Sequence, residues 1–184
     1  MAGAEKADSW ITDGHKWLNT PYDGAMAICR DAALMAQTMN SDAAYASAAA
    51  DSQKNLGLEF SRRARGIPVW AVLRALGRSG VAAMVERHCA LARRLADGLR
   101  AAGFGVLNRV VLNQVLVHVG DAQTTDAVQR AIVEEGTMWL GATTWRGERL
   151  LRISVSSWMT TEGDVERCVE AVGRAVGETG TGDR

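Results

Sequence analysis

Near the start of the chain, apolar positions occur in two short runs separated by turn residues. ADSWIT (7–12) is rich in bulky and β-branched residues, and AMAIC (25–29) is almost wholly apolar, so each run predicts a strand. Asp-Gly, Pro and a second Asp-Gly lie between them and predict a loop over residues 13–24. Two strands do not make a closed sheet, so the edges within residues 7–30 are expected to need a partner strand.

The middle of the chain changes from a polar stretch to a helical period. Residues 38–58 are small and polar without a clear period, which indicates a long loop of the kind that often carries function. Apolar positions then recur at helical spacing and predict a helix over 67–77, with Pro68 near its first position and its end at Gly77. A second, longer helix is predicted from Val81 to Ala102.

The last third of the chain combines both periods. The predicted order is a strand, a helix, two strands and a helix, at residues 113–120, 124–136, 137–145, 150–158 and 160–176. Thr161 and Asp164 have the spacing of a capping box at the start of the last helix. Residues 104–176 are therefore predicted to form a small α+β domain, followed by a flexible tail at 177–184.

Composition narrows the class of protein. The chain has 184 residues and a hydrophobic content of 47%, which is enough for a core. Lys plus Arg and Asp plus Glu each number 21, so the charge predicts neither a nucleic-acid nor a membrane partner. Cys29, Cys89 and Cys168 are far apart and predict neither disulfides nor a metal site. Without an apolar run of ~18 residues or a signal peptide, a cytoplasmic protein is expected.

Lys16 is the residue with the clearest chemical potential. It follows His15 in the predicted loop between the first two strands. A lysine amine that loses its proton near neutral pH attacks carbonyl compounds, and burial and neighbouring groups can arrange this. An ordinary exposed loop lysine is the alternative that the residues leave open.

The segment around Lys16 resembles a known enzyme family. DGHKWLNTPYDG (13–24) is similar to the lysine segment of the group II pyridoxal-phosphate-dependent amino acid decarboxylases, which include the aromatic amino acid, glutamate, histidine and diaminobutyrate decarboxylases. The resemblance continues in the same order through EFSRRARGIPVWAVLRALG (59–77) and TTWRGERLLRISVSSWMTTEGDVERCVEAV (143–172). Three collinear segments make a coincidence improbable.

The resemblance implies an α/β fold of the fold-type I pyridoxal-phosphate-dependent transferase kind. Residues 1–66 would be the end of the large cofactor domain, 67–103 the connecting long helices and 104–176 the small C-terminal α+β domain. Only fifteen residues precede Lys16, whereas the family places several cofactor contacts before its lysine. The chain is therefore expected to be a C-terminal portion that is inactive alone.

The implied function is decarboxylation of an L-amino acid with pyridoxal 5'-phosphate, in a homodimer that shares its active sites. Two alternatives stay open. One is a non-catalytic remnant or an interaction partner of a full-length paralogue. The other is a pyridoxal-phosphate enzyme with a different reaction, such as a transaminase or an aldehyde-forming enzyme.

The resemblance also implies roles for individual residues near the lysine. Lys16 would be the Schiff-base lysine that carries the cofactor as an internal aldimine, and His15 would lie close to the cofactor phosphate. Asp13 stands where relatives often have an asparagine that helps to hold that phosphate. Because a carboxylate cannot donate as an amide does, a backbone N–H would have to replace this contact.

Four further residues receive expected roles from the resemblance. Tyr45 corresponds to a mobile-loop tyrosine that protonates the carbanionic intermediate, with an ordinary loop tyrosine as the alternative. Ser61 and Arg62 lie in a segment that reaches the phosphate of the neighbouring subunit's cofactor. Arg152 would receive a substrate carboxylate. Since it lies within the apolar run LLRISV, a buried ion pair is the alternative, because a charge inside an apolar strand needs a partner.

Overall fold

The computed structural model describes residues 2–40 and 52–180, which form two compact units divided between Leu76 and Gly77. The division falls inside the helical run Gly66–Ala101, where Gly77 leaves the helical conformation with φ 61° and ψ −176°. Glycine adopts positive φ without the steric cost that a Cβ atom would bring. The predicted end of a helix at Gly77 is confirmed.

The first unit is built on a two-stranded antiparallel sheet. β1 (Ser9–Asp13) pairs with β2 (Ala25–Cys29), with Ile11 opposite Ala27. Both strands lie where the apolar runs predict them, and the connecting residues 14–24 form the predicted loop. A short 3₁₀ turn, Ala4–Lys6, precedes β1.

A helix that the apolar pattern did not predict follows β2. α1 (Ala32–Met39) begins after Asp31, whose side chain accepts a hydrogen bond from the backbone N–H of Leu34. An aspartate in this position satisfies one of the free N–H groups at a helix start, and the alanines and leucine that follow are strong helix formers. Residues 38 and 39, which were predicted to lie in a loop, therefore belong to this helix, and residues 41–51 of the predicted loop lie outside the described residues.

The first unit ends with residues 66–76 of α2 (Gly66–Ala101). A 3₁₀ turn, Gln53–Leu56, lies between α1 and this helix. Val69 of α2 is buried, whereas Ile67 and Trp70 are about two-thirds exposed, at 64% and 65%.

The second unit consists of a four-stranded antiparallel sheet and three helices, namely residues 78–101 of α2, α3 and α4. The sheet order is β3–β4–β6–β5. The elements after α2 are β3 (Gly105–Val106), β4 (Gln114–His118), α3 (Ala122–Glu135), β5 (Gly141–Trp145), β6 (Glu148–Ser154) and α4 (Glu162–Gly180). The predicted order of a strand, a helix, two strands and a helix is confirmed for β4 to α4.

The strand boundaries of the last hairpin differ from the prediction. β5 starts at Gly141, four residues after the predicted start, and β6 ends at Ser154, four residues before the predicted end. Arg146 and Gly147 connect them with φ values of 53° and 85°. Positive φ at both central residues is typical of a two-residue hairpin turn whose twist suits the strands. This turn sets the pairing, with Trp145 opposite Glu148.

The hydrophobic core lies in the second unit. Side chains from the three helices pack on one face of the sheet, and the fully buried members with the largest side chains include Leu95, Leu99, Ile132, Leu140 and Leu151. The alternation along β6 places Leu151 and Ile153 on the core side and Arg152 on the opposite side. The period-2 pattern of this strand thus decides which residues enter the core.

α4 begins with the predicted capping box. Asp164 accepts hydrogen bonds from the N–H and the hydroxyl of Thr161, both at 2.7 Å, while the hydroxyl of Thr161 accepts from the N–H of Asp164 at 3.3 Å. The helix continues to Gly180, so the predicted flexible tail starts too early at residue 177. None of the helices in the described residues is long and apolar enough to cross a membrane.

His88 is a fully buried histidine on α2 that holds the segment before α4. Its Nε2 atom lies 3.0 Å from the carbonyl oxygen of Ser157. That carbonyl accepts only from a protonated Nε2, whereas Nη2 of Arg87, 3.2 Å from Nε2, donates only to an unprotonated one, so the tautomer decides which of the two contacts is a hydrogen bond. Arg87 donates to the carbonyls of Trp158 and Thr160, both at 2.7 Å. Burial lowers the pKa of His88, the charge of Arg87 lowers it further, and the Ser157 contact opposes both.

The lowered pKa of His88 predicts a loss of stability in mild acid. The unfolded chain, with an ordinary histidine pKa of about 6.5, binds the proton more readily than the folded chain. The contribution of neutral His88 to the free energy of unfolding is therefore fully present above pH ~6.5, and it is lost as the pH falls below that value. Thermal unfolding at pH 7.5 and 5.5 measures the effect, which His88→Gln should reduce. His118→Gln, at an exposed histidine, should leave the pH dependence unchanged, and equal pH dependence in wild type and His88→Gln would contradict the prediction.

Candidate functional site

The loop between β1 and β2 is closed by backbone hydrogen bonds at Gly24. Its carbonyl oxygen accepts from the N–H of Gly14 at 2.8 Å and from the N–H of His15 at 3.2 Å. Within the loop, the N–H of Thr20 donates to the carbonyl of Gly14 at 3.1 Å. These bonds fix the backbone on both sides of Lys16.

Lys16 presents its amine at the surface of this loop. Its side chain is 71% exposed, and its ammonium group forms an ion pair with the carboxylate of Asp13. The hydrogen bond from Lys16 is the main cause that lowers the pKa of Asp13; desolvation opposes it, and the charges of Lys16 and His15 lower the pKa further. The amine is therefore accessible and is held by a carboxylate three residues away.

Asn19 shapes the backbone that follows Lys16. It adopts a left-handed conformation with φ 54°, which asparagine tolerates better than most residues. Its side-chain amide donates to the carbonyl oxygens of Lys16 at 3.2 Å and of Trp17 at 2.8 Å. Asn is a common turn former, and this turn signal was the feature of the sequence that could have identified Asn19.

The ring of His15 is fixed against the far side of the same loop. Its Nδ1 atom lies 2.9 Å from the carbonyl oxygen of Gly24 and 3.1 Å from the amide nitrogen of Gly24, so either tautomer forms one hydrogen bond there. The ring also contacts that of Tyr22, with centroids 4.2 Å apart and planes tilted by 43°. The backbone that carries His15 and Lys16 is thus held in place by hydrogen bonds within one loop.

A second segment, residues 59–65, is attached to this loop by arginines. Arg65 donates to the carboxylates of Asp23 at 2.9 Å and Glu59 at 2.8 Å, and Arg63 donates to the carbonyl of Tyr22 at 2.8 Å. The hydrogen bond from Arg65 is the main cause that lowers the pKa of Asp23. These arginines lie more than forty residues from their partners in the loop, so no local pattern could have identified them.

The two residues predicted to bind a phosphate lie in this second segment. Ser61 is exposed. Arg62 donates to the carbonyl oxygens of Gln53 at 2.6 Å and Glu59 at 2.8 Å, so in this structure its guanidinium holds its own segment together. The predicted phosphate contacts of Ser61 and Arg62 stay predictions.

The two remaining residues with predicted roles are Arg152 and Tyr45. Arg152 belongs to β6 of the second unit and is exposed on the face away from the core. The buried ion pair given as the alternative for Arg152 is wrong, because the side chain is exposed; its predicted contact with a substrate carboxylate stays a prediction. Tyr45 lies outside the described residues. Among the described residues, no group of three His, Cys, Asp or Glu side chains could hold a metal ion.

Gly14 is where the loop packs most closely. A Cβ atom on Gly14 would lie 2.9 Å from Oγ1 of Thr20 and 3.1 Å from a methyl group of Val69. Both neighbours are buried, so neither can move freely. Glycine at this position therefore lets residues 14–24, the lysine loop, pack against the start of α2.

Gly14→Ala is expected to destabilise the first unit by about 1–3 kcal/mol, because the added methyl group overpacks a buried contact. Gly24→Ala is the matched control, since its Cβ would lie no closer than 3.6 Å to the nearest atom. Hydrogen exchange of the β1 and β2 amides measures the difference. Equal protection in the two variants would contradict the predicted close contact.

Comparisons with known proteins agree on one enzyme family. The family model described as the pyridoxal-dependent decarboxylase conserved domain matches residues 1–119. The aromatic-L-amino-acid decarboxylase of Drosophila lebanonensis is 26% identical over 97% of this chain and 46% of its own length. The histidine decarboxylase of Drosophila melanogaster is 26% identical over 90% of this chain and 20% of its own.

A solved structure supports the same fold. The tryptophan decarboxylase of Catharanthus roseus, crystallised with L-tryptophan, superposes with a TM-score of 0.80 at 19% identity. The match covers 96% of this chain and 40% of that enzyme. The fold expected from the sequence is thus confirmed as part of a fold-type I architecture. The chain spans less than half the length of each of these relatives.

Proposed function

The chain belongs to the pyridoxal-dependent decarboxylase family, and we propose that it supplies the lysine loop and the small C-terminal unit of an enzyme that removes carbon dioxide from an L-amino acid. The cofactor of this family is pyridoxal 5'-phosphate. The observation that carries the proposal is the exposed amine of Lys16 on a loop that hydrogen bonds fix between β1 and β2.

The residues of the loop fit the aldehyde-bearing end of this cofactor. An aldehyde reacts with a primary amine that solvent and ligand can reach, and Lys16 is such an amine. His15 precedes Lys16 in the chain, and its ring is hydrogen-bonded to the backbone of Gly24. Lys16 would hold the cofactor covalently, and His15 would lie against it.

Each residue of the site has a physical task in this function. When bound, the cofactor acts as an electron sink that allows the bond to the carboxylate carbon to break. Asp13 holds the ammonium form of Lys16, so this ion pair must open before the neutral amine can react. The hydrogen bonds of Asn19 and Gly24 keep the backbone of Lys16 in place while this occurs.

The finer assignments belong to the same proposal. Arg152 receives a substrate carboxylate, and Ser61 with Arg62 binds the cofactor phosphate of a second subunit in a homodimer. Arg62 would have to exchange the carbonyls of Gln53 and Glu59 for that phosphate. Tyr45 protonates the α-carbon after carbon dioxide leaves, as a phenol on a closing loop can do.

The covalent attachment of the cofactor can be tested directly, because the chain contains only three lysines, Lys6, Lys16 and Lys54. The chain is mixed with pyridoxal 5'-phosphate, its visible absorbance is recorded, and the adduct is reduced with borohydride and mapped by mass spectrometry. A reduced adduct confined to Lys16 is expected. Equal labelling of all three lysines would reject a cofactor site and favour a non-catalytic remnant or an interaction partner.

The reaction is tested separately by its products. The chain is assayed with L-tryptophan, L-histidine and L-glutamate in the presence of the cofactor. Release of carbon dioxide with formation of the amine supports decarboxylation. An aldehyde or a keto acid as the main product would instead indicate an aldehyde-forming enzyme or a transaminase.

A further inference from the structure

A groove in the first unit is formed by the end of β2 and one side of α1. It encloses a cavity of about 490 Å³, which Asp8 also lines. Three side chains around this cavity contain sulfur, namely the thiol of Cys29 and the thioethers of Met35 and Met39. The spacing of the cysteines predicted no metal site, but that criterion leaves methionine donors out.

Helical spacing brings both thioethers to this groove. Met35 and Met39 are four residues apart in α1, so they lie on the same face of the helix, one turn after the other. Both side chains are partly buried, and both line the cavity. Because a methionine side chain is unbranched and has three rotatable bonds, its sulfur can adjust to a ligand in the groove.

Cys29 is held beside this face by the strand before it and the helix after it. It is the last residue of β2, where it pairs with Ser9, and its thiol is free and partly buried. Asp31 then begins the helix, since its side chain accepts from the N–H of Leu34 at 2.8 Å and its carbonyl from the N–H of Met35 at 3.1 Å. Strand pairing and helix capping therefore hold the thiol and the thioethers around one cavity.

The charged side chains of the groove favour a cation. Arg30 lines the cavity, but its guanidinium is engaged: it pairs with the carboxylate of Asp8 at 3.2 Å and donates to the carbonyls of Glu5 and Ala7, both at 3.0 Å. Asp31 lines the cavity as well. Two carboxylates against one guanidinium leave a net negative charge, which attracts a positive ion.

We propose that Cys29, Met35 and Met39 bind a soft monovalent cation, copper(I). Thiolate and thioether sulfur are the donors that copper(I) prefers, whereas hard cations such as Mg²⁺ prefer oxygen. Binding exchanges the thiol proton of Cys29 for the metal ion, and the proton passes to solvent. The charges of the thiolate and copper(I) then cancel, which suits a partly buried site. The inference does not depend on the cofactor proposal, because none of the three residues belongs to the lysine loop.

Metal binding is measured with the full chain, kept reduced and free of oxygen. The chain is titrated against copper(I) held by bicinchoninate, whose copper complex absorbs visible light. Transfer of one copper ion per chain is expected, and X-ray absorption at the copper edge should show a shell of three sulfur atoms. Absence of transfer, or a shell of nitrogen and oxygen atoms, would overturn the proposal.

Substitutions of the donors separate a built site from a single reactive thiol. Met35→Leu and Met39→Leu nearly conserve apolar volume, and each should weaken copper(I) binding by about tenfold because one soft donor is lost. Cys29→Ser should abolish binding. Cys168→Ser and Met159→Leu are matched controls in the second unit and should bind like the wild type. Circular dichroism establishes that each variant is folded.

Two further results would contradict this site. Unchanged affinity when Met35 and Met39 are both replaced by leucine would mean that the thiol of Cys29 binds copper(I) by itself. Loss of binding in Cys168→Ser would place the metal on another cysteine. Because leucine retains the packing of α1, the double variant decides the question even if Cys29→Ser unfolds. The double variant should also form the pyridoxal phosphate adduct at Lys16, so the two proposals fail independently.

Discussion

Replacing Lys16 with alanine is expected to abolish the borohydride-reducible cofactor adduct completely. The side chain of Lys16 is exposed on a loop with a fixed backbone, and alanine has no amine with which an aldehyde could react. The adduct is quantified by visible absorbance and by the mass of the modified peptide. A complete loss is the largest effect predicted for any single substitution in this chain.

The other two lysines provide matched controls for this result. Lys6→Arg and Lys54→Arg keep the charge at each position and should retain the full adduct, because neither side chain belongs to the loop. Asp13→Asn should form the adduct faster, since the carboxylate that holds the ammonium group of Lys16 is removed. Persistent adduct in Lys16→Ala, or its loss in Lys54→Arg, would contradict the assignment.

Leu99→Ala is expected to destabilise the second unit by about 2–5 kcal/mol, because it removes a buried side chain and leaves a cavity that the surrounding helices fill only in part. Leu99 is fully buried on α2 in the cluster formed by three helices and the sheet. Urea unfolding followed by circular dichroism measures the change in free energy. Such a loss is a large fraction of the stability of a typical domain.

Leu112→Ala is the control for this second prediction. Leu112 is 54% exposed, and a substitution at such a site usually changes stability by no more than about 0.5 kcal/mol. A similar loss in both variants would show that the buried cluster does not determine the stability of the second unit.

The second unit could be predicted well because its signals are local. Apolar alternation identifies β4 and β6, helical period identifies α3 and α4, and Thr161 with Asp164 marks the start of the last helix. The strand β3 was not predicted. The other errors lie at element ends, where β5 and β6 are set by the turn at Arg146 and Gly147. A turn with two positive φ values depends on a few residues and leaves little trace in an apolar pattern.

The candidate site could be predicted only in part. The location of Lys16 on a loop follows from the sequence, since turn residues lie on both sides of it. The contacts of Arg62, Arg63 and Arg65 do not, because an arginine can reach carbonyls and carboxylates in several directions. The partners of Arg63 and Arg65 become known only when the chain brings residues 59–65 against the loop of residues 14–24, and those of Arg62 only when this segment lies against Gln53.

Sequence by itself determined the strand–loop–strand around Lys16, the order of elements from β4 to α4 and the resemblance to the family, because each depends on patterns within continuous segments of the chain. The tertiary structure alone decided that Asp13 holds Lys16, that Arg152 faces solvent, and that Gly14 packs against Val69. These properties depend on side-chain direction and on contacts between distant segments. Such contacts form only when backbone geometry is complete, so a linear pattern of apolar and polar residues does not contain them.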